Sequence, residues 1–229
     1  MHVPDGFLDV PTSVATGVVA VAAVAVALPR ARKEAVDDRK APMVGIVATL
    51  IFAVQMINFP VGAGTSGHLM GGALAAVLVG PATGVLCLTV VLIVQAFLFA
   101  DGGLTALGTN ITLMGVVTVV VGWAVFRGLV AIAPRRTWAV PLGAALGAFV
   151  SVPAAAAVFA ALFTIGGTVS VPTGTVFAAM VGWHVVIGVG EAVITALVVS
   201  AVVATRPDLV YGMRFARVPA ENSMQGAHA

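Results

Sequence analysis

The first two residues of the chain, Met1 and His2, can chelate a metal ion. The terminal amine, the deprotonated amide nitrogen of His2 and its imidazole would close two fused rings around one ion. A second imidazole, from His68 after the glycine-rich segment 62–67, would complete a planar set of four nitrogens. That geometry suits Ni(II), Cu(II) or Co(II) better than zinc, magnesium or calcium. The residues therefore predict a metal site if the fold brings His2 to His68.

The composition is that of a membrane protein. Hydrophobic residues make up 60% of the chain and charged residues 9%, against about 25% charged residues in soluble globular domains. The single cysteine, Cys87, lies in an apolar run. It cannot form an intramolecular disulfide, and we interpret it as a small buried hydrophobic residue.

Seven apolar stretches could cross a bilayer, which needs about 20 helical residues per crossing. They lie near residues 12–28, 42–59, 68–79, 82–100, 105–126, 138–163 and 175–205. Pairs such as Leu28-Pro29 are predicted to end helices, and the hydroxyls of Thr65 and Ser66 to cap a helix that begins at His68. The stretch 68–79 is short, so a re-entrant helix is an alternative to a true span. The pattern predicts an all-α, polytopic membrane protein.

The basic residues favour seven crossings over six. All of them lie in three segments, 30–40, 127–136 and 206–217. Because cytoplasmic loops collect lysine and arginine, the three segments belong on one side of the membrane, which requires 68–79 to cross it. The prediction is seven transmembrane helices with the N-terminus outside and the C-terminus cytoplasmic.

On this topology His2 and His68 share the outer face. The outer segments contain Asp5, Asp9 and Asp101 and no basic residue, and an acidic face mildly concentrates cations. The same acidic start argues against a cleaved signal peptide, because signal peptides begin with a basic region.

Domain organisation and the class of function follow from this topology. Residues 1–205 would form a single transmembrane domain with a metal-chelating segment at 1–11, and residues 206–229 a disordered cytoplasmic tail. No Gly-x-x-x-x-Gly-Lys-Ser/Thr phosphate-binding loop is present, so the chain lacks the usual means of nucleotide hydrolysis. A closed set of four nitrogens leaves no open coordination position for catalysis. We expect that the chain is not an enzyme, that it needs no cofactor and that it binds no nucleic acid.

Polar residues near or within the spans are candidates for supporting the site. His184 and Glu191 lie one heptad apart on the last apolar stretch, hence on one face. They could pair structurally, orient the metal ligands, or carry protons in a proton-coupled secondary transporter of divalent transition metals, which is the alternative function. Asp101 is the candidate acceptor behind a metal-bound histidine, and Asn58 lies near the same outer end.

Three blocks of sequence carry a resemblance to a known family. They are Met1–Leu8 (MHVPDGFL), the run Gln55–Pro60 (QMINFP) leading into Gly64–Leu69 (GTSGHL), and Gln95–Gly108 (QAFLFADGGLTALG) followed by Asn110. On these motifs the chain resembles the CbiM/NikM family, the substrate-capture (S) components of energy-coupling-factor transporters for cobalt and nickel. The similarity is specific from the first residue to about Asn110 and looser beyond it.

The resemblance implies a metal site, a set of partners and a location. By analogy with the family, Met1, His2 and His68 would hold Ni(II) or Co(II) outside the cell for ATP-driven uptake. The partners would be a transmembrane coupling (T) subunit, two ATPase subunits and a small accessory membrane subunit. The location would be the bacterial or archaeal plasma membrane. Neither the family nor the residues choose between nickel and cobalt.

Overall fold

The fold is a bundle of apolar helices. The computed structural model describes residues 1–34, 41–62, 65–134 and 136–216. Within these residues the main helices are α1 (Val10–Glu34), α2 (Ala41–Gln55), α3 (Gly72–Val79), α4 (Pro81–Leu98), α5 (Leu107–Ile132), α6 (Ala139–Gly166) and α7 (Thr173–Thr205). The segment Ile111–Val117 of α5 is π-helical. The prediction of an all-helical architecture is confirmed.

The helix lengths are those of a multi-pass membrane protein. Five helices, α1, α4, α5, α6 and α7, are long and apolar enough to cross a bilayer. The other two are shorter, with 15 residues in α2 and 8 in α3. The number of seven crossings and the outside position of the N-terminus therefore stay predictions.

Pro29 does not end the first helix, contrary to the sequence-based expectation. Helix α1 continues through Pro29 to Glu34, and α6 likewise contains Pro153. An internal proline removes one intrahelical hydrogen bond. Transmembrane helices tolerate this loss where neighbouring groups satisfy the freed carbonyl. The first apolar stretch is thus part of a longer helix than the sequence suggested.

Helix α3 is fully buried in the bundle. Every residue from Gly72 to Val79 is buried. Small residues permit this position, because a Cβ atom on Gly72 would lie 1.9 Å from Thr118 Oγ1 of α5, and one on Gly122 would lie 2.6 Å from Ala73 Cβ. Close packing against α5 therefore fixes the helix that follows His68 in the chain.

A short antiparallel pair of strands precedes α3. Strand β1 (Phe59–Gly62) pairs with β2 (Thr65–Gly67), and His68 follows directly. The predicted helix start at His68 is wrong, because Thr65 and Ser66 belong to β2 and the helix begins at Gly72. His68 therefore lies in a loop between a strand and a helix.

The first part of the predicted cytoplasmic tail is folded. Segments Pro207–Leu209 and Tyr211–Phe215 form short 3-10 helices. Gly212 packs so closely on Phe126 that a Cβ atom there would lie 2.7 Å from Cζ of the ring. Residues 217–229, the remainder of the predicted tail, lie outside the described residues.

Candidate metal centre

The N-terminal segment is inserted into the bundle. Met1, His2 and Val3 are buried, with 1%, 6% and 0% of their surface exposed. The backbone of Val3 is bound on both sides by Asn110, whose Oδ1 accepts from the amide at 2.8 Å and whose Nδ2 donates to the carbonyl at 3.2 Å. The amide of Gly103 also donates to the carbonyl of Val3 at 2.9 Å. These three bonds fix the backbone of Val3 against the bundle.

A second set of contacts anchors the segment further along. Leu8 forms an antiparallel bridge with Gly167, after the end of α6. Phe7 packs against two phenylalanines of α6, Phe159 and Phe163, with ring centroids 5.8 and 5.3 Å away. Asp5 Oδ1 accepts from both the amide and the hydroxyl of Thr105, at 2.7 and 2.6 Å. The hydrogen bonds to Thr105 lower the pKa of the Asp5 carboxyl, so it is ionised at neutral pH.

Two glycines make room for this insertion. A Cβ atom on Gly103 would lie 2.3 Å from the amide nitrogen of Asp5. Gly102 has a φ of +93°, and a Cβ atom there would lie 3.0 Å from both Asn110 Nδ2 and His2 Cδ2. L-residues rarely adopt this backbone conformation. The Asp101-Gly102-Gly103 turn therefore has to lack side chains at the two glycines for the N-terminus to reach its place.

The insertion brings His2 to His68. Their ring centroids are 4.5 Å apart with an interplanar angle of 33°, although the residues are far apart in sequence. His2 Nε2 lies 3.1 Å from Gln95 Oε1 and His68 Nδ1 lies 2.8 Å from the carbonyl oxygen of Leu69. Since both partners can only accept, these ring nitrogens donate. The lone pairs of a neutral imidazole are then at His2 Nδ1 and His68 Nε2, and both atoms are buried without a hydrogen-bond partner.

Burial keeps the nitrogens of the first two residues uncharged. Desolvation lowers the pKa of the Met1 amine well below its ordinary value, against the attraction of Asp101. Desolvation, and then repulsion from the amino terminus, lower the pKa of His2 to about 4. A neutral amine and a neutral imidazole each present a lone pair, which is the form that binds a transition-metal ion.

An acidic residue of the turn after α4, Asp101, contacts His2. Its Oδ1 lies 3.2 Å from His2 Nδ1, but in this tautomer no proton lies between the two atoms, so the contact is not a hydrogen bond. The other carboxylate oxygen accepts from Asn58 Nδ2 at 2.8 Å. The His2 ring therefore lies between two side-chain oxygens, Gln95 Oε1 at Nε2 and Asp101 Oδ1 at Nδ1. A carboxylate facing an unprotonated nitrogen favours a cation close to both.

Glu191 holds the loop that carries His68. Its carboxylate accepts from the amides of Met70 at 2.6 Å and Gly71 at 2.9 Å, immediately before α3. Gln55 Nε2 donates to the carbonyl of Met70 at 2.7 Å. His184, the other polar residue singled out on the last helix, bonds to the carbonyl of Met180. His184 and Glu191 therefore have separate hydrogen-bond partners.

Comparisons with known proteins identify the family. The family model described as "Cobalt uptake substrate-specific transmembrane region" (CbiM) matches residues 2–209. A cobalt transport protein CbiM of Sorangium cellulosum is 32% identical over 221 residues, which cover 95% of this chain and 98% of that protein. The chain belongs to the CbiM family. A protein of Archaeoglobus fulgidus, provisionally named a fused nickel transport protein NikMN, is 39% identical over 92% of this chain and 68% of that protein.

The fold agrees with this membership. The crystal structure of a truncated transition metal transporter superposes with a TM-score of 0.81 at 30% identity, covering 89% of this chain and 99% of that one. The CbiM family consists of metal transport membrane proteins rather than enzymes. The recognition made from the sequence blocks is confirmed, as is the class of multi-pass metal transport protein.

Two residues of this CbiM-family chain support the site although the sequence indicated them only as polar groups near the ends of the spans. Gln95 and Asn110 are fully buried, at 0% and 1% exposure, and they orient His2 and Val3. Both are uncharged amides near helix ends. Only their burial distinguishes them from other polar residues in such positions. Among the described residues no group of three or more His, Cys, Asp or Glu side chains converges as a metal cluster. The predicted chelate takes two of its nitrogens from the main chain.

Proposed function

We propose that this chain is the substrate-capture subunit of an energy-coupling-factor transporter that takes up Ni(II) or Co(II). Met1, His2 and His68 bind the ion through the amine, the His2 amide and two imidazoles. A coupling subunit and two ATPases, with a small accessory membrane protein, then drive its delivery across the plasma membrane. The binding face is outside the cell and the C-terminus is cytoplasmic.

The observation that carries the proposal is the pair of bare imidazole nitrogens beside a buried amine. His2 Nδ1 and His68 Nε2 are buried without partners, and a buried unsatisfied polar group costs about 1–3 kcal/mol. The Met1 amine is buried with them. Nitrogen donors suit Ni(II) and Co(II), and two relatives that match more than nine-tenths of this chain are named for nickel and cobalt transport.

The alternative, a proton-coupled transporter that uses His184 and Glu191, has less support. A proton relay needs groups that can pass a proton between them, and these two residues bond to different backbone segments. Glu191 holds the amides that lead into α3, a structural task. Uptake driven by a pH gradient with no ATPase present would favour the alternative.

The direct test is the substitution His2→Ala. It removes the imidazole that closes the second ring of the chelate and keeps the amine and the backbone amide. We expect Ni(II) and Co(II) binding to the purified protein to be lost in titrations followed by metal analysis and absorption spectra. His228→Ala, outside the described residues, is the matched control.

Two outcomes decide the proposal. Loss of binding in His2→Ala but not in His228→Ala supports the chelate. Unchanged metal content and unchanged spectra in His2→Ala would refute it, since His2 would then not be a ligand.

A further inference from the structure

Two arginines line a cavity at the end of the bundle far from the candidate metal centre. Arg127 lies near the end of α5, and Arg214 lies in the 3-10 segment Tyr211–Phe215. About 25 Å of helix separates Arg127 from Asn110, which binds the N-terminal segment at the other end of α5. The cavity has a volume of about 430 Å³, and its other lining residues are Val130, Ala131, Pro134 and Phe215.

Aromatic rings hold both guanidinium groups. Arg127 Cζ lies 3.9 Å from the ring centroid of Phe215 and 5.8 Å from that of Trp123. Arg214 Cζ lies 4.9 Å from the centroid of Tyr211. The negative face of an aromatic ring attracts a cation in this position. The three rings also contact one another, with centroids 5.4 to 5.8 Å apart, so the two cations are held beside one shared aromatic cluster.

Neither of these arginines forms an ion pair with a carboxylate in the part of the chain that the structure describes. Arg206, at the same end of the bundle, differs from them. Its Nε and Nη2 donate to the two carboxylate oxygens of Asp208 at 2.9 and 2.8 Å. Arg127 and Arg214 therefore bring two positive charges to one cavity without an acidic partner among the described residues.

The surroundings of the cavity are those of a membrane interface. Ile132 and Trp138, on either side of the lining residue Pro134 in the sequence, are 80% and 52% exposed. In a multi-pass membrane protein such apolar surface faces lipid, and tryptophan and tyrosine collect at the level of the headgroups. The cavity therefore lies at the depth where lipid headgroups are present.

We propose that this cavity binds the headgroup phosphate of an anionic phospholipid, with Arg127 and Arg214 as the residues that hold it. A guanidinium can donate two parallel N–H bonds to phosphate oxygens, and basic pockets between transmembrane helices bind acidic headgroups. A lipid with a net negative charge fits two arginines better than a zwitterionic lipid, because an ammonium group would bring a third positive charge. The site is independent of the proposed chelate, which lies at the other end of the bundle.

Lipid binding by the delipidated full-length protein tests this proposal. Native mass spectrometry in a neutral detergent measures the binding of phosphatidylglycerol and of phosphatidylcholine, and inorganic phosphate is added as a competitor. We expect the wild-type protein to prefer phosphatidylglycerol. Its affinity should fall by about fivefold in Arg127→Gln and in Arg214→Gln, as for one basic residue at an anionic membrane surface.

Arg206→Gln is the matched control. It removes the same charge from the same end of the bundle, but from an exposed arginine that is paired with Asp208. We expect this variant to bind phosphatidylglycerol within about twofold of the wild-type affinity, since exposed ion pairs contribute little.

A preference for phosphatidylglycerol that is weakened in Arg127→Gln and Arg214→Gln, and kept in Arg206→Gln, supports the inference. Equal losses in all three variants would show a general effect of surface charge and overturn it. Equal binding of the two lipids by the wild-type protein also overturns it, whether or not the variants fold, and favours an acidic segment of a partner protein as the occupant. Displacement of the lipid by inorganic phosphate at equal concentration would identify a free anion as the ligand and overturn the lipid site.

Discussion

Two buried glutamates accept backbone amides at helix starts, one at each end of the bundle, but their surroundings differ. At the end that contains His2 and His68, which we call the histidine end, Glu191 of α7 accepts the amides of Met70 and Gly71 before α3. At the other end, which we call the Glu34 end, Glu34 of α1 accepts the amides of Ala82 and Thr83 at the start of α4. Each buried carboxylate receives the partly positive start of a helix, where anions are stabilised.

The difference lies in what surrounds each carboxylate. At the Glu34 end the hydroxyl of Thr83 also donates to the carboxylate at 2.8 Å, so Glu34 has several donors. At the histidine end, by contrast, the described residues leave a ring nitrogen of His2 and one of His68 unpaired. The comparison teaches that a satisfied buried group stabilises the fold, whereas a cluster of unsatisfied ones marks the place where an external partner binds.

The largest effects are expected when each of the two glutamates is replaced. Glu191→Ala and Glu34→Ala each remove a buried carboxylate that accepts at least two backbone hydrogen bonds, so each should destabilise the protein by about 2 kcal/mol or more. Thermal unfolding in detergent should show lower Tm values for both variants. Only Glu191→Ala should weaken Ni(II) or Co(II) binding, because only that variant frees the loop of His68. Equal metal binding in the two variants would contradict the proposal that only Glu191 supports the metal site.

An effect confined to metal binding, without the loss of stability expected of the glutamate variants, is predicted for Gly103→Ala. The new Cβ atom would lie 2.3 Å from the amide nitrogen of Asp5, which forces the N-terminal segment out of its position. We expect metal binding to be lost while the helices remain, as measured by metal titration and far-UV circular dichroism. Gly128→Ala is the matched control, since nothing lies within 4 Å of a Cβ atom there. Normal binding by Gly103→Ala would show that the inserted segment is not needed.

The smallest effects are expected from replacing side-chain amides, and they should be larger at a buried position than at an exposed one. Asn110→Ala removes both side-chain bonds to Val3 at a buried site, and we expect metal affinity to fall by about 10- to 100-fold. Asn58→Ala removes one exposed contact with Asp101, which is expected to change affinity by less than about threefold, as for exposed polar pairs. Isothermal titration calorimetry of the two variants measures the ratio. Equal losses would mean that burial does not set the importance of these amides.

Much of the fold could be predicted from the sequence because its signals are local. Apolar stretches and their breaks gave the main helices, and the chain opening with Met1 and His2 indicated a chelate. Predictions failed where local signals misled. Pro29 does not end α1, and Thr65 and Ser66 lie in a strand rather than capping a helix. Helix α3 is buried on all sides, so its apolar composition could not distinguish a membrane span from a helix enclosed by protein.

The supporting contacts of the candidate site could not be predicted, because they join distant parts of the chain. Asn110 meets Val3 across 107 residues, and Glu191 meets Met70 across 121. Neither the Asn110 amide nor the Glu191 carboxylate lies in a local sequence pattern that identifies its hydrogen-bond partner. Asp101 contacts one nitrogen of the His2 ring, but the other nitrogen meets Gln95, which is chemically less conspicuous in the sequence than a carboxylate.

The anchoring of the N-terminal segment to the end of α6 has a consequence for biosynthesis. Asp9 donates its backbone amide to Gly166, and Thr168 donates to Phe7. These bonds cannot form until α6 has been translated and inserted. The N-terminal segment is therefore without its permanent neighbours while α1 to α5 are being made.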